Sequence, residues 1–391
     1  MAHIRKRGKT YSYAIDIGQD PLTGKRKQIN EGGFIRKKDA EAAARKVEML
    51  IDENRFVMLS NEIFSEYIQS WFENHYRSRI KQTSATNSKY LIEKHILREN
   101  SFAVKEIAKI TTADIDHFYN LKIKDNYSTS YIRKMHQLLN QAFSQAVKWK
   151  KITVNPVTDA DPPSVKQEEM SIWSFDAIQA FLHTCKGERH YLTFLLAIYT
   201  GMRKGEILGL KWSDIDFDKK VIQVNRSVAY VPKKGYIFTT LKTKNSKRQI
   251  PIPEFVRNEL RNHKECMEDW KELVGELYED QDLIICTNTG TLQDARNVTR
   301  VMNRIVKSAN VPHIRFHDIR HTHASILISE GVDIVKISKR LGHANPKITL
   351  EFYAHLMPNA DNDIADIFHK AVQNCTNGIG KNPADKLRSN K

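Results

Sequence analysis

Apolar positions along this chain follow two periods, and the changes between them divide it into three regions. In the first, Thr10-Tyr11-Ser12-Tyr13-Ala14-Ile15-Asp16-Ile17 reads as a strand. The turn-rich Asp20-Pro21-Leu22-Thr23-Gly24 follows, then an extended stretch from Lys25 to Glu31 and Gly32-Gly33-Phe34. Extended stretches broken by turn residues predict a small antiparallel meander, here a three-stranded sheet. From Lys38 to about Glu53, Ala43, Val47, Leu50 and Ile51 fall on one face of a helix.

The second region, residues 59–165, reads as almost all helix. Ile63, Tyr67, Ile68 and Trp71 recur at helical spacing, as do Tyr90, Leu91 and Ile96 after a cap at Ser84 or Thr86. Ile115, Phe118 and Tyr119 follow Thr111-Thr112, and Ile132, Met135, Leu138, Leu139, Ala142, Phe143 and Ala146 mark a long fourth helix. Asn155-Pro156 ends the pattern, and Asp159 to Glu169 reads as an exposed linker.

The third region, residues 166–375, is mainly helical with a small antiparallel sheet. Ser174 is the expected cap of a helix at 175–185, followed by helices at 188–201, Val256–Tyr278, Ala295–Ala309 and Arg320–Ser329. Strands are expected at Val221–Val228, Gly235–Thr240 and around Arg248–Ile252. Ile334 to His343 reads as a helix closed by Gly342, with a further helix after Asn345-Pro346. Residues 376–391 are a polar, basic tail. The fold class is therefore multidomain α+β.

Charge narrows the partner. The chain carries 62 Lys+Arg against 46 Asp+Glu, a formal net charge of +16. Such a surplus favours a polyanion, because neutralising phosphates releases condensed counterions. Through Lys38, basic residues outnumber acidic ones ten to three. Arg5, Lys6, Arg7, Lys9, Lys25, Arg26 and Lys27 are the candidate DNA contacts of this first region, against the plainer reading of a solvated basic face. Cys185, Cys266, Cys286 and Cys375 lie far apart with no C-x-x-C pair, so neither a zinc ribbon nor a disulfide framework is suggested. The basic N-terminus leads into no apolar signal segment, and the most apolar run, Tyr191–Met202, falls short of the ~20 residues a membrane span takes. A soluble cytoplasmic protein with no membrane partner is expected.

Candidate chemistry gathers in the third region. Thr200-Gly201-Met202-Arg203-Lys204-Gly205-Glu206 puts Arg203 at a break between helices, with Glu206 on the same face and able to hold its guanidinium. Leu241-Lys242-Thr243-Lys244-Asn245-Ser246-Lys247-Arg248 reads as a strongly basic hairpin tip, a pattern that is usually a solvated turn. His317 and Arg320 are three apart, so a helix or turn presents both on one face. Arginine as a clamp on non-bridging oxygens and histidine as donor or proton carrier suit a phosphate. His317, His321 and His323 are the alternative metal set. No H-E-x-x-H glutamate and no carboxylate cluster accompany them, so no metal is expected. His343 closes Leu341-Gly342-His343, and Tyr353 follows ten residues later; alone, it reads as a packing tyrosine.

In this order, the elements resemble the tyrosine recombinase, or phage integrase, family. That family's signature is a T-G-x-R-x-x-E box, a hairpin lysine, H-x-x-R, a histidine in an L-G-H box and a tyrosine about ten residues on. The matching residues are Arg203, Lys242, His317 with Arg320, His343 and Tyr353, with Lys244 and Lys247 competing for the lysine role. Lys244, Lys247 and Arg248 are further expected DNA contacts.

The resemblance implies three domains. An arm-type DNA-binding domain spans 1–58, a SAM-like core-binding domain with linker 59–165, and the catalytic domain 166–375. It also implies a mechanism: Tyr353 attacks the scissile phosphate to give a 3′-phosphotyrosine, Arg203 and Arg320 hold the phosphate, and His343 donates to it. Lys242 protonates the leaving 5′ oxygen, and His317 assists proton transfer at Tyr353. No cofactor, metal or ATP is implied. The implied partners are double-stranded DNA attachment sites, a homotetramer on DNA, and an excisionase or a host DNA-bending protein. The implied outcome is integration and excision of a phage or mobile element.

Overall fold

The computed structural model describes residues 2–19, 26–53, 59–98, 101–164, 171–232, 234–241, 246–343, 345–353 and 369. The chain divides into two compact units, residues 1–166 and 167–391.

The first unit opens with β1 (His3–Arg7), β2 (Thr10–Gln19) and β3 (Arg26–Phe34), an antiparallel sheet in that order. Tyr13 and Ile15 alternate onto the face covered by α1 (Lys37–Asp52), where Ala40 and Ala44 bring the helix close. The Tyr13 hydroxyl donates to Glu31 Oε2 at 2.5 Å, directly across the strand pair. Burial, then the Glu31 carboxylate, pushes this phenol up to about 12. Two expectations change. Arg5, Lys6 and Arg7 lie within a strand, β1, ahead of the first stretch that the apolar pattern marks. Leu50 is exposed, because the helix turns Ala40, Ala44 and Val47 to the sheet.

Four helices follow: α2 (Phe64–Trp71), α3 (Gln82–Leu91), α4 (Thr112–Lys124) and α5 (Thr129–Lys148). Apolar stripes bury one face of each around Phe64, Tyr67, Trp71 and Phe143, with Phe64 stacked on Phe143 at 5.0 Å. Thr111 caps α4 in a reciprocal box with Asp114. The cap expected at Ser84 or Thr86 is displaced. α3 starts at Gln82, and the Thr86 hydroxyl donates back to the Gln82 carbonyl from inside the helix. Tyr90 is exposed.

The second unit begins with α6 (Phe175–Cys185), capped by Ser174, and α7 (Tyr191–Thr200). Leu192 through Ala197 are all buried, so the most apolar run of the chain is a core helix. After α8 (Lys204–Leu208) come β4 (Ile215–Asp216), β5 (Val221–Val224), β6 (Arg226–Val231), β7 (Gly235–Thr240) and β8 (Arg248–Pro251). They form two sheets, β4-β5-β8 and β6-β7. The single strand expected at Val221–Val228 is thus two, broken at Asn225, whose side chain donates to Asp214. β7 and β8 belong to different sheets, and residues 242–245 between them, where the tip of a basic hairpin was expected, lie outside the described residues.

Among the described residues, five longer helices follow: α9 (Glu254–Val274), α10 (Ala295–Ser308), α11 (Phe316–Ser329), α12 (Ile334–Leu341) and α13 (Pro346–Tyr353). α11 starts four residues before the expected Arg320, so His317 and Arg320 both lie in its first two turns. Among the described residues, no helix is long and apolar enough to cross a membrane.

Candidate active site

The site is assembled at the ends of helices. α7 stops at Gly201, whose φ of +64° is left-handed. A Cβ there would meet His323 Cδ2 at 2.7 Å and Leu341 Cδ2 at 2.8 Å, so only glycine fits this crossing. Two residues on, Arg203 lies at the entry to α8. Its backbone N–H donates to Glu206 Oε2 at 3.0 Å, and its Nη1 donates to Oε1 at 2.8 Å.

Glu206 is 2% exposed and serves two arginines, since Arg248 Nη2 also donates to its Oε2 at 2.9 Å. Burial alone would raise this carboxyl, but the hydrogen bonds and charges of Arg248 and Arg203 outweigh it and hold the group below the usual carboxylate range. Arg248 also donates through Nε to Arg340 O at 2.7 Å, and its side chain is 6% exposed. Arg248, one of the expected DNA contacts, has its fork engaged by Glu206 and by main-chain carbonyls.

Arg320 is buried, with Nη1 donating to Gly201 O at 2.8 Å and Nη2 to Leu341 O at 2.6 Å. Those carbonyls lie two residues before Arg203 and two before His343, so one guanidinium staples both loops.

The His317 ring stands edge-on to His321 at 5.0 Å. Crowding by protein atoms, then His321, Arg320 and Arg203, push the His317 imidazole down to about 4. Its ring is exposed at the surface, so the neighbouring cations are the firmer cause. His343 is pushed to about 4 by burial, then by Arg320, Arg203, His321 and Arg248. Its Nδ1 lies 2.8 Å from Thr349 Oγ1. Both imidazoles therefore feel the same two arginines, and both are neutral near pH 7.

Tyr353 is placed by its backbone in the last turn of α13; its side chain lies outside the described atoms. Lys242 and Lys244 lie outside the described residues, as does Lys25, and of Arg26 and Lys27 only the backbone is described. Lys247 is exposed, as are Arg5, Lys6, Arg7 and Lys9, with Lys6 Nζ 5.9 Å from the Tyr11 ring centroid. Among the described residues, no group of three or more His, Cys, Asp or Glu is placed to hold a metal.

Sequence reading assigned His323 no role beyond the metal alternative and missed Arg340 and Lys204. Lys204, beside Arg203, donates to Thr299 Oγ1 at 2.8 Å and Ala295 O at 3.2 Å, tying α8 to α10. Arg340 abuts the Leu341-Gly342-His343 box, and that adjacency was the available signal.

A three-stranded sheet with one helix, a helical bundle and a mainly helical domain with small sheets define a mixed α+β protein of the integrase architecture. Family models agree: the phage integrase family matches residues 173–360, the Arm DNA-binding domain 3–49, and the N-terminal SAM-like domain of phage integrases 63–123. A tyrosine recombinase XerC-like protein of Caldanaerobacter subterraneus subsp. tengcongensis is 31% identical over 93% of this chain and 98% of its own length. The ICEBs1 integrase of Bacillus subtilis is 28% identical over 91% of this chain and 96% of its own. The integrase of transposon Tn1549, solved with a circular-intermediate DNA, shares the fold with a TM-score of 0.68. It is 20% identical, covering 80% of this chain and 100% of that one. The chain belongs to the phage integrase family of site-specific tyrosine recombinases.

Proposed function

We propose that this chain integrates and excises a mobile DNA element by cutting and rejoining attachment-site DNA through Tyr353. The observation that carries this reading is the fork of Arg320, which donates to Gly201 O and Leu341 O and so ties the loops bearing Arg203 and His343 to the helix that carries His317. Four groups from three segments, Arg203 before α8, His317 and Arg320 on α11 and His343 after α12, come within electrostatic reach of one another, and their chemistry is that of an oxyanion site. A phosphodiester placed there brings the negative charge that the crowded cations lack, and it raises the imidazoles toward protonation.

In the proposed step, the Tyr353 phenolic oxygen forms a bond to phosphorus while the bond to the 5′ oxygen breaks. His317 receives the phenol proton and Lys242 supplies one to the leaving 5′-hydroxyl. Arg203, Arg320 and His343 donate to the non-bridging oxygens as their charge grows, and fixed donors of this kind are worth roughly 3 kcal/mol each. Glu206 orients Arg203. The bond energy stays in the 3′-phosphotyrosine, so rejoining needs no nucleotide.

The surrounding assignments belong to the same proposal. Residues 1–58 bind arm DNA through Arg5, Lys6, Arg7, Lys9, Lys25, Arg26 and Lys27. Residues 59–165 grip core DNA, and 166–375 carry the chemistry, with Lys244 and Lys247 touching the backbone near the cut. The active species is a homotetramer on two sites in the host cytoplasm at the nucleoid, steered by an excisionase or a DNA-bending protein.

The test is a nicked suicide substrate resolved on a denaturing gel. Wild type is expected to trap a covalent adduct and Tyr353→Phe to give none, while still binding DNA. An adduct persisting in Tyr353→Phe refutes the nucleophile. A 5′-bridging phosphorothiolate, whose thiol leaves without a proton, is expected to rescue Lys242→Ala and not Arg203→Ala. Rescue of Lys244→Ala instead moves the acid two residues along.

A further inference from the structure

Arg340, two residues before Gly342, spreads one guanidinium over three elements. Its Nη2 donates to Tyr199 O at 2.9 Å near the end of α7, and its Nη1 to Pro251 O at 3.2 Å at the end of β8. Its Nε donates to His323 Nε2 at 3.1 Å on α11. His323 in turn bonds through Nδ1 to Ile198 O at 2.8 Å. A carbonyl cannot donate, so Nδ1 carries the hydrogen, and the Nε2 that accepts from Arg340 carries none. The ring is thereby locked as one neutral tautomer between a cation and a carbonyl.

These acceptors have a common meaning. The last carbonyls of α7 have no partner within the helix, and a cation at that end satisfies them and suits the helix dipole. α7 then leads through Gly201 to Arg203, while α12, which carries Arg340, leads through Gly342 to His343. The pair therefore holds the departure points of the two loops that bear these groups. It stands one layer behind Arg320, whose fork holds Gly201 O and Leu341 O. β8, the third element held, begins at Arg248, the partner of Glu206.

We infer that Arg340 and His323 are positioning residues that fix Arg203 and His343 against each other for the cleavage step. The inference rests on the recombinase reading above. Neither residue touches the phosphate; both act through backbone. Because a misplacement of about 1 Å can cost on the order of 100-fold in rate, such a device acts on cleavage more than on binding.

The experiment uses the full-length chain and compares Arg340→Lys, His323→Phe, His323→Gln and the double variant Arg340→Lys/His323→Phe. Single-turnover cleavage of a suicide substrate, affinity for the same DNA, thermal midpoint and the pH profile of cleavage are measured together. Lysine keeps the charge but loses the fork, and phenylalanine keeps the ring but loses both bonds. Each is expected to slow cleavage roughly 10- to 100-fold, with DNA affinity within about twofold of wild type. The double variant is expected to be little worse than the worse single one, because both act through one linkage. Glutamine can both donate and accept, so His323→Gln is expected to recover most of the rate.

Unchanged cleavage in a folded Arg340→Lys overturns the inference. So does a rate loss matched by lost DNA affinity. A pH profile displaced by His323→Phe overturns it too, by making His323 a proton carrier. Where Arg340→Lys does not fold, His323→Gln against His323→Phe decides, with equal rates refuting the proposal. Absence of any adduct in wild type is a separate result and brings down the recombinase reading instead.

Discussion

The sheet of residues 3–34 and the helix ends around Gly201 and Gly342 both carry cations, and they hold them in opposite ways. On β1 and the turn after it, Arg5, Lys6, Arg7 and Lys9 stand exposed. In the second unit, Arg203, Arg248, Arg320 and Arg340 are tied to Glu206, to His323 and to six main-chain carbonyls. Exposed cations bind a polyanion by releasing counterions, a strength set by salt. Tied cations have lost their freedom during folding, so little reorganisation remains when charge develops at the phosphate. The first arrangement suits finding DNA, and the second suits reacting with it.

The sharpest way to break this contrast is Glu206→Gln. It leaves two guanidinia sharing a neutral amide, so cleavage is expected to fall roughly 100-fold in single turnover. Removing one partner of a buried ion pair costs about 3 kcal/mol, read by urea unfolding at neutral pH. A variant with wild-type stability and rate shows that these arginines need no anion to stay in place.

Acid tests the same clamp. An unfolded histidine titrates near 6.5, and folded His323 titrates near 4, through burial and then Arg340. Between those values the unfolded chain binds more protons, so the stability present above pH 6.5 is lost as pH falls toward 4. At pH 5 the His323 contribution is about 2 kcal/mol at most. Wild type is expected to lose more stability than His323→Phe between pH 7 and pH 5, by denaturant midpoint. Equal losses in the two proteins place the acid sensitivity elsewhere.

For the exposed cations, a chain starting at Asn61 is expected to keep cleavage on short core DNA. The log–log salt slope on full attachment sites is expected to shrink by roughly 2 to 4, about 0.9 for each phosphate no longer neutralised. An unchanged slope, measured by footprinting across a salt series, removes the sheet from DNA binding. The smallest effect is expected from Tyr13→Phe. Losing its bond to Glu31 costs about 1 kcal/mol, read as roughly fivefold faster amide exchange in β2 and β3 with the salt slope untouched.

Much of this was legible in advance, and the gaps share a cause. Periodicity located the helices because their buried stripes are local, and Ser174 and Thr111 marked two helix starts through hydroxyls that bond within a turn. β1 escaped because four of its five residues are polar. Asn225 gave no warning that it breaks a strand, since its partner, Asp214, lies on another segment. Arg203, His317, Arg320, His343 and Tyr353 were named from their order along the chain, whereas the burial of Arg248 was not foreseen. A run of lysines ending in arginine reads as one solvated patch, and nothing in it says that the last cation meets a carboxylate forty-two residues away. The Arg340–His323 link was invisible for the same reason. Its acceptors are carbonyls, which every residue has, and only the fold chooses which ones are reached.

The two left-handed glycines also bear on how such a chain can change length. Each ends a helix two residues or fewer before a site residue: Gly201 before Arg203, and Gly342 before His343. An added residue inside α7 or α12 would rotate the rest of that helix by about 100° and strand the glycine in a right-handed position. Insertions there are expected to be lethal to activity. The exposed turn just after α9, residues 275–277, lies outside this constraint, and insertions there are expected to be tolerated.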